Sequence, residues 1–504
     1  MADNIQLAPA PEPELEQLAA LEILPQESLA STPEHLAKIA QAGMQVGADG
    51  FAWPAPSVQV IPKSRKITFD PFEYAINTAD NDSWHLLSTS NDVDPFAGVA
   101  VPSGSTAFIL NKTVSLAANG EGVDLVCLDN PGLQAQAGHP DWISEKTGLD
   151  RFQAINWPQV TGTTGTYTQP ANYYTTAVTN GHGTATMSVA AGRRYGFAKE
   201  ANLYSIGRHA GVAGLWDTAQ AIDLVRLFHT GKADKSRPTV FMANIAQGIF
   251  PISAPNGAAT PARIAGSLVT VDLSTSGGRT AAQQNYNIPV FTGTETYFNS
   301  DDPTVAAAFL AAMAAGVIIV HSAGNWNQRS VPAGHPNYND YFQDGAGPFV
   351  IYFNRNVTSS ATDVISVGAY DSNYVSGEEA LATYTTRGPL VDIFAPGSGV
   401  PAATIAADFG VVAGTVLYPG STTAYTKLFG GTSSAAPAVA GVVACLAQLR
   451  PWMTSLDAKA AVKEFAIKDR IYVSTPDSLN NKLAFVGAPN SLAHYPFTHV
   501  SSGA

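Results

Sequence analysis

The chain has 504 residues, of which 45% are hydrophobic and only 13% charged, with 44 glycines and 33 prolines. This composition is typical of a folded chain with many turns, and it excludes an intrinsically disordered protein, which needs low hydrophobicity and high charge. The formal net charge of −13 argues against nucleic acid as a partner and against binding to an anionic membrane surface.

Residues 1–83 are predicted to form an N-terminal extension that is only partly ordered. The stretch up to about residue 50 is rich in Ala, Pro and Glu, with helix-like patterns at ELEQLAALEIL and TPEHLAKIAQAG. It lacks a basic region followed by an apolar one, so it does not resemble a secretory signal, and the compartment is left unknown. Its position suits an inhibitory pro-region, but the compact α/β pattern of one is not found. A tether or docking segment for an assembly partner fits equally well.

From about residue 84 strand-like and helix-like segments alternate. The predicted strands are GVDLVCLD (122–129), ANLYSIGR (201–208), PTVFMANIAQG (238–248), VIIVHSAGN (317–325) and DVISVGAY (363–370). The predicted helices are TAQAIDLVRLFHTG, TVAAAFLAAMAAG, a helix from about residue 434, and LDAKAAVKEFA. This alternation predicts an α/β domain over residues 84–490, with a central, mostly parallel sheet flanked by helices. Residues 491–504 are assigned to a C-terminal tail. No run of about 18 apolar residues predicts a membrane-spanning helix.

The first strand of this pattern ends in an acid, Asp129. Because functional groups of parallel sheets lie at the carboxyl ends of the strands, this carboxylate is expected at the functional edge, where a buried acid needs a partner such as an imidazole N–H. Asp124, at the start of the strand, is expected to be solvated. Cys127 and Cys445 lie in apolar runs and predict buried thiols rather than a bridge.

His182 lies between two glycines in NGHGTATMSVAAG, at the start of an apolar helix. That setting suits a histidine with free space around its ring, although a purely structural histidine has the same pattern. Asn325, in HSAGNWN, follows a strand and a flexible Ala-Gly pair at the same sheet edge. Its amide is a candidate donor to an oxyanion, and a plain turn asparagine is the alternative.

Ser433 lies in GGTSSAAPAVAGVVACLAQL, in a turn directly before a helix. Free N–H groups and the positive end of the helix dipole stabilise developing negative charge at such a place. Pro437 is expected in the first helical turn, where proline is tolerated. Read alone, the segment is also compatible with a serine that merely caps the helix.

Together these four segments, in the order Asp, His, Asn, Ser, resemble the subtilisin-like serine peptidases, with the sub-pattern of the proteinase K group. GTSSAAPAVAG is similar to the family's G-T-S-x-A-x-P-x-V-A-G, and HGTATMSVAAG to its histidine segment. Trp84 in SWHLLST, ANLYSIGR, ATYTTRGPLVDIFAPG and SLNNKLAFVG also resemble family segments, so the likeness covers roughly residues 84–490.

The resemblance implies a three-layer subtilisin-like fold with Asp129, His182 and Ser433 as a catalytic triad and Asn325 in the oxyanion hole. It also implies two groups of substrate-binding residues. The first is the strand NIAQG, which pairs with the substrate backbone and contributes Asn244, Ala246, Gln247 and Gly248. The second is the pocket wall formed by Ser322, Ala323 and Gly324.

Three features depart from the family's pattern. Asn130 and Pro131 replace the usual Thr/Ser-Gly after the acid. The segment after the histidine helix lacks the longer loop that holds the strong calcium site of the bacterial subtilisins. Asp371 matches a calcium-ligating aspartate of some relatives, but a solvated turn Asp is the better interpretation. No cofactor is expected to be required, and structural calcium is left open.

Loop insertions rich in Gly, Thr, Pro and Asn are predicted at about 133–178, 249–300 and 401–425, where they would narrow the cleft.

The sequence therefore predicts a serine endopeptidase that acts on protein or peptide substrates through an acyl-enzyme. Two alternatives remain at this stage. One is a transpeptidase or cyclase that uses the same triad. The other is a weakly active or inactive structural component that keeps the fold. The unusual sequence after Asp129 and the large insertions favour this alternative.

Overall fold

The computed structural model describes residues 84–90, 118–129, 135–153, 157, 178–207, 215–244, 259–288, 301–343, 350–371, 379–412, 414–472 and 487–495. It also describes the backbone of seven short strands outside these ranges. The two helix-like patterns of the N-terminal extension, within residues 1–43, lie outside the described residues, and the predicted domain boundaries stay predictions.

A ten-stranded, mostly parallel sheet forms the centre of the fold. Numbered along the chain, its strands lie side by side in the order β22 (Ile467–Lys468), β23 (Ser491–Leu492), β18 (Ile393–Pro396), β16 (Ile365–Asp371), β13 (Val317–Ser322), β8 (Thr239–Ala243), β5 (Asp124–Asp129), β7 (Asn202–Gly207) and β6 (Phe152–Gln153). From β23 to β6 every neighbouring pair is parallel. Only β22 and β17 (Ala380–Leu381), which pairs with β16, are antiparallel. The strands β5, β8 and β13 are buried along their whole length, so both faces of the sheet are covered.

Smaller antiparallel sheets surround this centre. They comprise β1 (Met44–Val46) with β2 (Ala52–Pro54); β3 (Phe72–Tyr74), β4 (Lys112–Leu116) and β24 (Thr498–Ser502); β9 (Ile252–Ser253) with β12 (Glu295–Thr296); β10 (Thr260–Ile264), β11 (Ser267–Val271), β14 (Tyr341–Gln343) and β15 (Val350–Tyr352); and β19 (Val400–Thr404), β20 (Val416–Leu417) and β21 (Tyr425–Phe429).

Seven helices are described: α1 (Trp84–Thr89), α2 (His182–Ala191), α3 (Leu215–Gly231), α4 (Ser276–Tyr286), α5 (Pro303–Ala314), α6 (Thr432–Leu449) and α7 (Ser455–Phe465). Helices α2 and α6 pack together, as do α3 and α5, and α6 also contacts β8, β13, β16 and β18. The pair α2 and α6 approaches so closely that a Cβ on Gly441 would lie 2.3 Å from the carbonyl oxygen of Ala190.

This architecture confirms the predicted fold class, a mostly parallel central sheet flanked by helices. Local signals account for the helix starts: Asp302 accepts hydrogen bonds from two backbone N–H groups of α5, and Thr454 with Asp457 forms a capping box on α7. Helix α6 differs from its prediction. It begins at Thr432, so Pro437 lies inside the helix rather than in the first turn. Both cysteines are buried and free, as predicted.

Most buried apolar side chains belong to one core around the central sheet. A second, smaller cluster comprises Ala262, Val271, Leu273, Ala282, Ile288, Phe342 and Phe353. It lies between α4 and the sheet of β10, β11, β14 and β15. Within the predicted insertion at 249–300, the described residues thus form strands and a helix with their own apolar contacts, where the sequence predicts a loop.

Among the described residues, α6 is the one helix that is long and apolar enough to cross a bilayer, and 83% of that stretch is buried inside the fold. It packs against four strands of the central sheet. This burial is the behaviour of a core helix.

Candidate active site

Asp129 and His182 form the centre of the site. Asp129 ends β5, and its side chain is only 1% exposed, whereas that of His182, the first residue of α2, is 27% exposed. The histidine Nδ1–H donates to Asp129 Oδ2 over 2.6 Å. Because Nδ1 is committed to the carboxylate, Nε2 is the ring nitrogen left to act as a base.

Ser433 is the second residue of α6 and is partly exposed. At this position its backbone N–H precedes the first intrahelical hydrogen bonds and is available to a ligand. The carbonyl of Ser433 lacks its usual helical donor because residue 437 is a proline without an N–H. Asn244 supplies the missing donor: its Nδ2 lies 2.8 Å from the Ser433 carbonyl oxygen and 2.8 Å from Thr186 Oγ1 on α2.

Thr432 orients the amide of Asn325, a role that the sequence analysis did not identify. The Thr432 backbone N–H and hydroxyl both donate to Asn325 Oδ1, over 2.8 and 2.9 Å. With its oxygen held in this way, Asn325 directs its NH₂ group elsewhere. The backbone N–H of Gly324 in turn donates to Thr432 Oγ1 over 3.1 Å.

Gly431 keeps the space beside this amide open. Its φ of 85° lies in the left-handed region, and a Cβ there would lie 2.9 Å from Asn325 Nδ2. The glycine of the Gly-Thr-Ser turn is therefore required by both backbone conformation and space. Thr432, the residue before Ser433 in this turn, is the one that bonds Asn325.

The sheet of β19, β20 and β21 borders the histidine and was not expected to form. The ring of Phe429, in β21, meets that of His182 edge-on with centroids 5.2 Å apart. Buried Asp408, in the turn after β19, accepts from the backbone N–H of Gly181 over 3.3 Å. The sequence signal for this sheet was weak, because its strands lie within a Gly- and Thr-rich insertion.

The predicted substrate-binding residues are only partly described. Ala246, Gln247 and Gly248 lie outside the described residues, as do Asn130 and Pro131. Asn244 is buried, and its side chain is engaged with Ser433 and Thr186, so any contact with substrate would come from its backbone. Substrate binding by these residues stays a prediction.

The three predicted pocket residues are buried: Ser322 ends β13, Ala323 and Gly324 follow it, and Gly324 bonds Thr432. The backbone N–H of Ala323 donates to the carbonyl of Val367, and the carbonyl of Gly324 accepts from Thr386. These bonds fix the segment that would form the pocket wall. Its contact with substrate likewise stays a prediction.

Asp371, the candidate metal ligand, ends β16, and one of its oxygens accepts a hydrogen bond from Ser398. Burial raises the pKa of Asp371, and the hydrogen bond from Ser398 acts in the opposite direction. Among the described residues no group of three or more His, Cys, Asp or Glu side chains could hold a metal ion. Calcium binding at Asp371 stays a prediction, since Ca²⁺ takes six to eight oxygen ligands and backbone carbonyls are among them.

Asp124 was expected to be solvated, and this expectation is wrong. Its side chain is fully buried, 2.9 Å from Lys232 Nζ and 3.3 Å from the guanidinium of Arg237. A buried carboxylate at the start of a strand is stabilised here by cations that come from a distant part of the chain. It lies at the opposite end of β5 from Asp129.

Comparison with protein families gives a match to the Subtilase family over residues 156–489. The matched range contains His182, Asn325 and Ser433, and it begins after Asp129. Subtilisin-like proteinase Mp1 of Magnaporthiopsis poae is 26% identical over 453 residues, covering 87% of this chain and 80% of that protein. A subtilisin-like protease of Coccidioides posadasii strain C735 is 26% identical over 317 residues, covering 62% of this chain and 46% of that protein.

Solved structures of similar chains include a cold-adapted subtilisin-like serine proteinase, 16% identical, with a TM-score of 0.44 over 81% of this chain and 99% of that chain. Proteases from Pseudoalteromonas arctica PAMC 21717 are 17% identical, with a TM-score of 0.43 over 84% of this chain and 98% of that chain.

Proposed function

The chain belongs to the subtilase family, and from this premise we propose that it is a serine endopeptidase that cleaves peptide bonds through an acyl-enzyme. The observation that carries the proposal is the 2.6 Å hydrogen bond from His182 Nδ1 to the buried carboxylate of Asp129. This bond fixes the tautomer in which Nε2 accepts a proton, which is what a weak nucleophile such as a serine hydroxyl requires.

In the proposed reaction Ser433 Oγ attacks the carbonyl carbon of the scissile peptide while His182 Nε2 takes the hydroxyl proton. The buried Asp129 carboxylate stabilises the imidazolium that forms. His182 then gives the proton to the leaving amine, which departs as the acyl-enzyme is completed. Water, activated by the same histidine, releases the acid product and restores Ser433.

Two donors are proposed to bind the oxyanion of the tetrahedral intermediate. One is the NH₂ group of Asn325, whose orientation follows from the two hydrogen bonds that its oxygen accepts from Thr432. The other is the backbone N–H of Ser433 at the start of α6. Donors that are held before the reaction need no reorganisation when charge develops, and this preorganisation is the source of their effect.

Labelling with a fluorophosphonate probe tests the proposal. Purified protein is compared with the Ser433→Ala variant, and the modified peptide is identified by mass spectrometry. We expect labelling on Ser433, loss of labelling in the variant, and hydrolysis of unlabelled peptides by the unaltered chain. Absence of labelling in a folded protein, including after removal of residues 1–83, would contradict the proposed function. Labelling with transfer of the acyl group to an added amine, but not to water, would contradict the hydrolytic step alone.

A further inference from the structure

The N-cap residue of α2 supplies no side-chain hydrogen bond, while Asn180 Oδ1, one residue earlier, accepts from the backbone N–H of His182 over 2.9 Å. The N-cap residue is Gly181, which has no side chain to accept a hydrogen bond. A Cβ at this position would lie 2.0 Å from Thr404 Oγ1 and 2.4 Å from Asp408 Oδ2. The sheet of β19, β20 and β21 therefore lies directly against the residue before His182, and a capping Ser or Asp cannot occupy this place.

Asp408 takes over the capping from a distance of 227 positions along the chain. Its Oδ1 accepts from the Gly181 N–H over 3.3 Å, and its Oδ2 accepts from Lys427 Nζ over 2.8 Å and from the Thr404 hydroxyl. A carboxylate at this end of a helix also interacts favourably with the helix dipole.

The charge of Asp408 is balanced within a buried pair. The side chains of Lys427 and Asp408 are 7% and 4% exposed. Burial alone would raise the pKa of Asp408, but the hydrogen bonds from Lys427 and Thr404 bring the pKa below its usual value, so the carboxylate is charged. A buried ion pair adds little stability compared with well-packed apolar side chains, so its presence here calls for a role beyond holding the sheet together.

Lys427 of this pair lies near the aromatic ring that borders His182. Its ammonium is 5.8 Å from the centroid of the Phe429 ring, and that ring meets the His182 ring edge-on. Among the described residues, Asp129 bonds the imidazole, Asp408 bonds the backbone at the helix start, and Lys427 lies by the neighbouring aromatic ring.

We propose that Asp408 is a positioning residue for His182: it caps α2 from the neighbouring sheet and so fixes the catalytic histidine, while Lys427 balances its charge. This inference rests on the proposed function only for its kinetic consequences.

The matched control is a second buried Asp–Lys pair at the opposite end of β5. Asp124 and Lys232 are 0% and 3% exposed, with 2.9 Å between Lys232 Nζ and Asp124 Oδ2. Asp124→Asn therefore removes the same kind of charge from the same kind of environment. It leaves the surroundings of His182 unchanged.

The test has one readout that does not depend on turnover. Histidine labelled with ¹³C at Cε1 is incorporated in the Ser433→Ala background, which prevents self-cleavage, and the His182 signal is assigned by His182→Gln. In Asp408→Ala with Lys427→Met, which removes the acceptor for Gly181, we expect the His182 Cε1 signal to shift or broaden because the start of α2 is no longer held in one place. In Asp124→Asn the signal should keep its position and linewidth.

The second readout is kinetic and uses chains with Ser433 intact. Asp408→Ala with Lys427→Met removes the cap without leaving a buried unpaired charge. We expect its kcat for a short peptide to fall about tenfold with KM within twofold, because a displaced base slows proton transfer more than binding. Asp408→Asn keeps an acceptor for Gly181 and should lose less.

The two proposals fail in different ways. An unaltered chain that neither hydrolyses peptides nor labels on Ser433 contradicts the proposed function, and the ¹³C signal of His182 still decides the role of Asp408. An unchanged His182 signal in the Asp408→Ala, Lys427→Met variant, or an equal change in Asp124→Asn, would overturn the positioning role. Unaltered kcat in the folded Asp408→Ala, Lys427→Met variant would overturn it as well.

Discussion

Replacement of Asn244 by alanine is expected to destabilise the start of α6. A second substitution, Pro437→Ala, is expected to compensate for part of this loss of stability. In the native structure Asn244 Nδ2 donates to the carbonyl of Ser433 and to Thr186 Oγ1, both over 2.8 Å, and the residue is only 3% exposed. Among the described residues Asn244 Oδ1 has no hydrogen-bond partner, so the amide contributes through its N–H groups. The variant leaves the part-buried Ser433 carbonyl without this donor.

An unsatisfied buried acceptor costs about 1–3 kcal/mol, and the lost contact with Thr186 adds to this. We therefore expect Asn244→Ala to lower the free energy of unfolding by about 2–4 kcal/mol. Urea denaturation of both chains in the Ser433→Ala background gives this number without self-cleavage. The dependence of the free energy of unfolding on urea concentration should be the same for both chains, because their denatured states are alike.

The compensating change is Pro437→Ala, because alanine restores the backbone N–H that a helix normally directs to the carbonyl four residues earlier. If Asn244 replaces that missing donor, the double variant should recover about 1 kcal/mol more than the sum of the single effects. Additivity within about 0.3 kcal/mol would refute the reasoning, since the two changes would then act on unrelated groups.

Three further predictions concern other parts of the fold. Asn325→Ala should lower kcat for a peptide substrate by about 10²–10³ with little change in KM, which is the loss typical of one oxyanion donor. Steady-state kinetics measure both constants. A fall in kcat/KM that comes from KM alone would contradict the assignment of Asn325. Gly441→Ala should lower the free energy of unfolding by about 1–3 kcal/mol because α2 and α6 leave no room for a Cβ. Gly277→Ala in α4, where nothing lies within 4 Å, should be neutral or stabilising in the same urea assay. Burial lowers the pKa of His321 to about 4, so the unfolded chain binds more protons between about pH 6.5 and 4 and stability should fall as pH falls through that window. His321→Leu should flatten this dependence, and an unchanged slope would show that the histidine does not contribute.

The elements proposed to be catalytic could be recognised in the sequence because each has a strong local signal. Asp129 closes an apolar strand, His182 opens a helix between glycines, and Ser433 lies in a Gly-Thr-Ser turn before a long apolar helix. The rule that parallel strands present their carboxyl ends at one edge predicts that the three lie close together. The structure agrees in the one contact that it describes between them, the bond from His182 to Asp129.

The remaining features depend on pairs of residues that are distant in the chain, and no local pattern reports them. Asp408 reaches Gly181 only because the Gly- and Thr-rich insertion folds into strands. Asp124 was predicted to be solvated because its partner Lys232 comes from a separate segment, at the end of another helix. Pro437 was placed in the first turn because the helix start was set two residues too late.

The parallel pairing of β5 with both β7 and β8 has a consequence for the order of events in folding. Each of these pairings closes a long loop of chain, and β13, which leads to Asn325, is likewise paired with distant strands, β8 and β16. Because sheets made from such non-local contacts form slowly, we expect the proposed nucleophile, base and oxyanion donors to meet only late in folding. Under the proposed function, the appearance of peptidase activity during refolding would therefore report completion of the central sheet.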